Sequence, residues 1–81
     1  MPHKLEEVLN LLKNGKYEVT LHAKQRMALR NVSHADVRNC GRTGTAIEND
    51  EKIKVTGLDC DQEELSLICV YEDGVILITV F

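Results

Sequence analysis

Leu5, Val8, Leu9 and Leu12 recur at i, i+3, i+4 and i+7, the spacing that gathers apolar side chains along one side of a helix. Asn14-Gly15 comes next, and a left-handed residue there ends the helix. The adjoining stretch, K-Y-E-V-T-L, alternates Tyr17, Val19 and Leu21 with polar residues. It reads either as a short strand or as an extended lead-in to the next helix. Thr20 is placed to cap that second helix, from about Leu21 to Arg30, and Asn31 to stop it. Ser33 and Asp36 then have the spacing of a capping box, with Val32 and Val37 as its hydrophobic staple. They predict a short third helix that stops near Gly41, in a tight hairpin with the second.

From Thr45 the period changes to two. T-A-I-E-N and K-I-K-V-T flank an Asn-Asp-Glu turn, and L-S-L-I-C-V-Y and V-I-L-I-T-V-F flank E-D-G. The expected fold is a single α+β domain over residues 1–81. About three N-terminal helices pack on a four-stranded antiparallel meander. With Asp73-Gly74 as a two-residue turn, Tyr71 pairs with Ile76 and Cys69 with Ile78. Leu65, Leu67, Cys69, Tyr71, Ile76, Ile78 and Val80 then share one face. Ser66, Ile68, Val70, Val75, Leu77 and Thr79 share the other. Both faces are apolar, so the second calls for a cover: helices split between faces, a second copy of the chain, or a separate partner.

Composition adds compartment and charge. The 81 residues are 43% hydrophobic, which suits a folded domain. No apolar run is long enough for a membrane span, and M-P-H-K-L-E-E-V-L-N is too charged for a signal peptide, which places the protein in the cytoplasm. Cys40, Cys60 and Cys69 are odd in number and form no C-x-x-C, against a disulfide framework or a structural zinc site. Cys69 reads as a small core residue. Cys60 lies in the acidic run D-C-D-Q-E-E, which lacks the ligand spacing and glycine of a calcium loop. No cofactor or metal is expected. The net charge of −3 is unevenly spread: residues 1–42 hold eight Lys or Arg against four Asp or Glu, residues 43–81 two against nine. A basic first half points to a local anion-binding surface or a polar protein contact.

That charge converges on L-H-A-K-Q-R-M-A-L-R, where His22, Arg26 and Arg30 fall at i, i+4 and i+8. On the first turn of a helix, beside Arg26, an imidazole is favoured in the neutral form that a general base needs. Arg26 and Arg30 offer guanidinium forks suited to phosphate. The plainer alternative is a solvated polar face, on which Arg26 or Arg30 could pair with Glu18 or with carboxylates of the sheet. Ala23 and Met27 supply the buried edge. His34 reads as an exposed helix-start residue and His3 as a terminal one, neither with a role.

T-L-H-A-K-Q-R-M-A-L-R-N-V-S-H-A-D-V resembles a bacterial family of small proteins with the pattern H-A-x-x-R-M-x-x-R, and G-V-I-L-I-T-V-F resembles that family's last strand. The family looks like a relative of the RelE and BrnT toxins, metal-independent ribonucleases of toxin-antitoxin pairs with helices against an antiparallel sheet. The resemblance implies a RelE-like fold and attack of an RNA 2′-hydroxyl on its own phosphate. His22 would be the base, Arg26 and Arg30 would hold charge, and Thr79 would position a phosphate oxygen, with Met27 and Leu29 as packing. It also implies RNA as substrate and an antitoxin-like protein as partner. RelE-type toxins usually place basic residues or a tyrosine on their later strands, where this chain has only Lys52 and Lys54 as cations. A non-catalytic binding module of the same fold, with an anion or protein contact, is the alternative. A homodimer that needs only the sheet surface is the third reading.

Overall fold

In the computed structural model, which describes residues 4–81, the apolar stripe of the first segment forms α1 (Lys4–Lys13) and buries Val8 and Leu12. The helix ends as Asn14-Gly15 predicts. Gly15 takes φ 74°, and the Gly15 and Lys16 N–H groups donate to the carbonyls of Leu12 and Leu11. The expectation for His3 lies outside the described residues. The chain continues through β1 (Tyr17–Val19), α2 (Leu21–Arg30), α3 (His34–Thr43), β2 (Thr45–Asn49), β3 (Lys52–Leu58), β4 (Glu64–Tyr71) and β5 (Val75–Val80). The caps of α2 and α3 have the predicted chemistry. Thr20 accepts the Ala23 N–H, Asn31 stops α2 in the left-handed region, and Ser33 and Asp36 bond reciprocally as a capping box.

The sheet has five strands in the order β1-β5-β4-β3-β2. β2 to β5 form the predicted antiparallel meander. The K-Y-E-V segment adds a fifth strand, parallel to β5 with Tyr17, Glu18 and Val19 opposite Val75, Ile76 and Leu77. The sheet is therefore mixed rather than four-stranded and antiparallel. A parallel pairing cannot be closed by a tight turn, and here the connection runs through α2, α3 and the strands β2 to β4.

Two further expectations are corrected. The α3 helix runs past Gly41 to Thr43, with Gly41 buried inside it. A Cβ at that position would lie 2.6 Å from the Leu12 Cβ, so the glycine serves the close approach of α1 and α3 rather than a helix stop. The β4–β5 connection is a three-residue loop, Glu72 to Gly74, so Tyr71 pairs with Val75 and Cys69 with Leu77. One residue of register turns each β5 side chain over. Val75 and Leu77 are thus buried, while Ile76 lies on the opposite face with Val70. A bulge opposite Ile68 and Cys69 takes up Ile78 as an extra residue and brings Val80 back to the buried face.

All three helices lie on one side. A single core joins Val8 and Leu12 of α1, Ala23 and Met27 of α2, and Val37 and Cys40 of α3 to Ile53, Val55, Leu67, Cys69, Leu77 and Val80 of the sheet. Ile68, Val70 and Ile76 point the other way, and no helix covers them. The thiols of Cys40 and Cys69 are pushed up by burial to about 11 and about 12, which leaves them protonated and inert. Cys40 donates to the Leu65 carbonyl, fixing α3 over β4.

Two contacts tie α3 to the sheet more locally. The backbones of Gly44 and Gly57 nearly touch: a Cβ on Gly57 would lie 2.5 Å from the Cys40 carbonyl oxygen and 2.8 Å from the Gly44 Cα. Gly57→Ala should therefore cost about 2 kcal/mol, a fall of about 10 °C in Tm on thermal unfolding. Asp36 also accepts from the backbone N–H groups of Ser33 and Cys60, and these bonds hold its carboxyl at about 2, below its ordinary 3.8. A depressed carboxyl contributes stability that is fully present above about pH 4 and is lost as the pH falls towards 2. Asp36→Asn should lower denaturant stability by about 1 kcal/mol at neutral pH. That difference should shrink between pH 4 and pH 2.

Candidate functional site

The position of α2 is set by its first residues. The Thr20 N–H donates to the Leu77 carbonyl at 3.1 Å, and the Thr20 hydroxyl reaches the Ile78 carbonyl at 3.3 Å. The same hydroxyl accepts the Ala23 N–H. One side chain thus fastens the start of the helix to the second half of β5, beyond the end of β1. Ala23 and Met27 face the core, as expected.

His22, Arg26 and Arg30 lie one residue round from that buried edge. His22 and Arg30 are exposed, and Arg26 is half-buried. Successive members are about 6 Å apart along the axis, a spacing that lets neighbouring side chains act on one ligand. Among the described residues, none of the three side chains makes a hydrogen bond or an ion pair. Lys4–Glu48, at 2.7 Å, is the only salt bridge among them. Arg26 and Arg30 pair there neither with Glu18 nor with a sheet carboxylate, and an exposed, unpaired stripe fits a solvated face as well as it fits a ligand site. Glu18 projects from β1 in register with Ile76, on the face away from the helices.

Thr79 stands apart from the stripe. It pairs with Ile68 on the uncovered face, and its hydroxyl makes one long bond, 3.4 Å, to the Val80 carbonyl. The chain brings it near the start of α2, since Thr20 bonds its neighbour Ile78, but no hydrogen bond links Thr79 to His22, Arg26 or Arg30. Leu29, expected to pack, is 75% exposed.

The sequence pattern gives His34 no role, yet its Nδ1 lies 2.8 Å from the Tyr17 hydroxyl. Burial pushes the Tyr17 phenol up, and the charge of Arg38 partly offsets it, so the hydroxyl keeps its proton at neutral pH. Tyr17 stands three residues before Thr20, and His34 four residues after Arg30. Their bond closes the chain segment that carries α2, joining the strand before the helix to the start of α3. No local pattern marks this pair, because its members come from different elements. In the acidic loop, the Cys60 thiol donates to Asp36 and is thereby held protonated. No group of three or more His, Cys, Asp or Glu is assembled as a metal site among the described residues.

Residues 19–81 match the family described as Domain of unknown function (DUF4258). The chain belongs to this family. No curated protein and no solved structure matches it. The DUF4258 segment begins at the last residue of β1 and takes in the whole α2 stripe, α3 and the meander. It leaves α1 and Tyr17 outside.

The Tyr17–His34 bond should be worth about 1 kcal/mol, like other exposed or half-buried hydrogen bonds. A double-mutant cycle of Tyr17→Phe and His34→Ala, read by urea denaturation, should show coupling of about 0.5–1 kcal/mol. Additive losses would mean that the two rings only lie near one another.

Proposed function

We propose that this DUF4258 protein is a toxin-type endoribonuclease that cleaves RNA without a metal, in the manner of the RelE and BrnT toxins its α2 motif resembles. One observation carries the reading. His22, Arg26 and Arg30 line one face of a helix fastened to β5, and among the described residues none of the three side chains makes a hydrogen bond or an ion pair. Arginines that are kept charged and unpaired next to a histidine are available to a phosphate and to the proton chemistry beside it.

In this reading the RNA lies across the stripe. His22 takes the 2′-hydroxyl proton, and the 2′-oxygen forms a bond to phosphorus. The bond from phosphorus to the 5′-oxygen breaks, and that oxygen takes a proton from solvent. Arg26 and Arg30 hold the charge that develops on the non-bridging oxygens. The products end in a 2′,3′-cyclic phosphate and a 5′-hydroxyl. Thr79 reaches a phosphate oxygen only if the RNA extends from the stripe past the edge of β5. The protein works in the cytoplasm, and an antitoxin-like protein restrains it.

A second reading has its own observation. The later strands place both of their cations, Lys52 and Lys54, on the far face of the sheet, and Thr79 lies on that face too. The stripe therefore stands without further basic or hydroxyl groups bonded to it. That arrangement favours a binding module which holds an anion or RNA and leaves it intact.

Tightly induced wild type and His22→Ala, followed for growth and RNA integrity together, separate the two. On the enzyme reading wild type arrests growth and yields RNA fragments ending in cyclic phosphate. His22→Ala should lower cleavage by about 10²–10⁴-fold with an unchanged circular dichroism spectrum, and Arg26→Ala by about 10²-fold. Intact RNA in both strains, with RNA binding that weakens in salt and is lost in Arg26→Ala, would instead establish the binding module.

A further inference from the structure

The uncovered sheet face carries charges in an order that says what could cover it. One row of side chains crosses that face. Glu18 of β1 is in register with Ile76 of β5, and Ile76 with Val70 of β4. Lys52 of β3 precedes Ile53, which pairs with Cys69, so Lys52 lies level with Val70. The row therefore reads carboxylate, apolar, apolar, ammonium over three strand spacings, about 14 Å. Neither Glu18 nor Lys52 has a hydrogen bond or ion pair among the described residues. The next row places Thr79, Ile68, Lys54 and Ile47 side by side. Lys54 rests its ammonium over the Phe81 ring at 5.4 Å, and Ile47 is 63% exposed.

A row with opposite charges at its two ends is self-complementary under a two-fold axis, the symmetry of most homodimers. An axis parallel to the strands, midway between β4 and β5, lays β4 on β5 of a second copy and β3 on its β1. Val70 then meets Ile76, and Lys52 meets Glu18, twice over. Packed sheets stand about 10 Å apart, a gap that a lysine and a glutamate span together. We infer that the outer sheet face is an isologous dimer interface, occupied by a second copy of this chain through Val70–Ile76 contacts and reciprocal Lys52–Glu18 ion pairs. An acidic partner segment would satisfy Lys52 but leave Glu18 facing like charge, and a nucleic acid would do the same. The face offers a plan area on the order of 400 Å² per copy, four strands wide. That is at the low end for a specific interface, so a weak, reversible dimer is expected. The inference does not rest on the ribonuclease reading, since α2 and its stripe lie on the opposite side of the sheet; the two meet only at Thr79, which the dimer sets against Ile68 of the second copy and so withholds from RNA.

Sedimentation equilibrium of the full chain from 1 µM to 1 mM tests it. The expected result is a monomer–dimer equilibrium that weakens as salt is raised. Glu18→Lys and Lys52→Glu should each weaken the dimer about tenfold or more, and the double swap should restore most of the affinity. All three variants change exposed charges only, and circular dichroism checks their fold. A monomer at every concentration would overturn the inference. So would a dimer unmoved by either single change, or one that the double swap fails to restore. Growth arrest and RNA cleavage report on the stripe separately, so failure of one proposal leaves the other standing.

Discussion

Three backbone pairs between β1 and β5 bring together parts of the chain that are 58 residues apart at their neighbouring Thr20–Ile78 contact. Much of the architecture depends on this junction. It turns a meander into a mixed sheet, and it sets the point from which α2 departs. Because β1 ends at Val19, the Thr20 side chain finds the carbonyl of Ile78 exposed beside it and uses it as an anchor. The same pairing turns Glu18 to the far side of the sheet, away from the arginines of α2. Closing a loop of this length costs several kcal/mol of chain entropy. Burial of Val75 and Leu77 and partial burial of Tyr17 and Val19 offset it.

The junction also divides the charge. Cations of the first half are carried mainly by α2 and α3, on the helical side, and the sheet turns its only two cations outward from β3. With all helices on one face, the sheet is left apolar in the middle of the other, where Ile68, Val70 and Ile76 are only partly buried by their own neighbours. An antiparallel sheet meant for solvent would alternate cleanly. This one does so on β3 and abandons the pattern on β4 and β5. On the two proposals, the surfaces therefore take different contacts: an anion on the basic helix face, and a second copy of the chain on the apolar sheet face with mixed charge.

Local chemistry was legible in the sequence, and distant chemistry was not. The caps at Thr20, Asn31 and Ser33–Asp36 act within three or four residues, so their spacing is sufficient evidence for them. The four meander strands emerge from alternation and turn residues in the same way. The β1 strand escaped a firm reading because three residues carry too little pattern, and its partner lies at the other end of the chain. The β4–β5 register departs from the expected one because Asp-Gly suits more than one loop. Here Asp73 at φ 53° and Gly74 at φ 131° belong to a three-residue loop, and that single residue exchanges Val75 and Leu77 with Ile76 between faces. Gly41 looked like a helix stop because a buried glycine and a terminal one cannot be told apart without knowing what α1 does. Helical spacing was enough to align His22, Arg26 and Arg30. Their freedom from carboxylates depended on where β1 pointed Glu18, and the Tyr17–His34 clamp depended on where α3 began.

The stripe itself shows why α2 is built as it is. Ten residues allow at most three members of an i, i+4, i+8 series, and α2 uses all three positions next to its buried Ala23–Met27 edge for His22, Arg26 and Arg30. The next row round the helix is Leu21, Gln25 and Leu29, with the two leucines 73% and 75% exposed. Exposed leucines are ordinary on a protein surface, but here the two stand beside two arginines that have no side-chain partner among the described residues. The result is a basic row flanked on one side by the core and on the other by an apolar row. Such a surface suits a ligand that is anionic along one line and apolar beside it. A ribonucleotide chain has that character in its phosphates and bases, and an inorganic anion does not. Within the proposed function, this juxtaposition fits an RNA chain better than a simple phosphate.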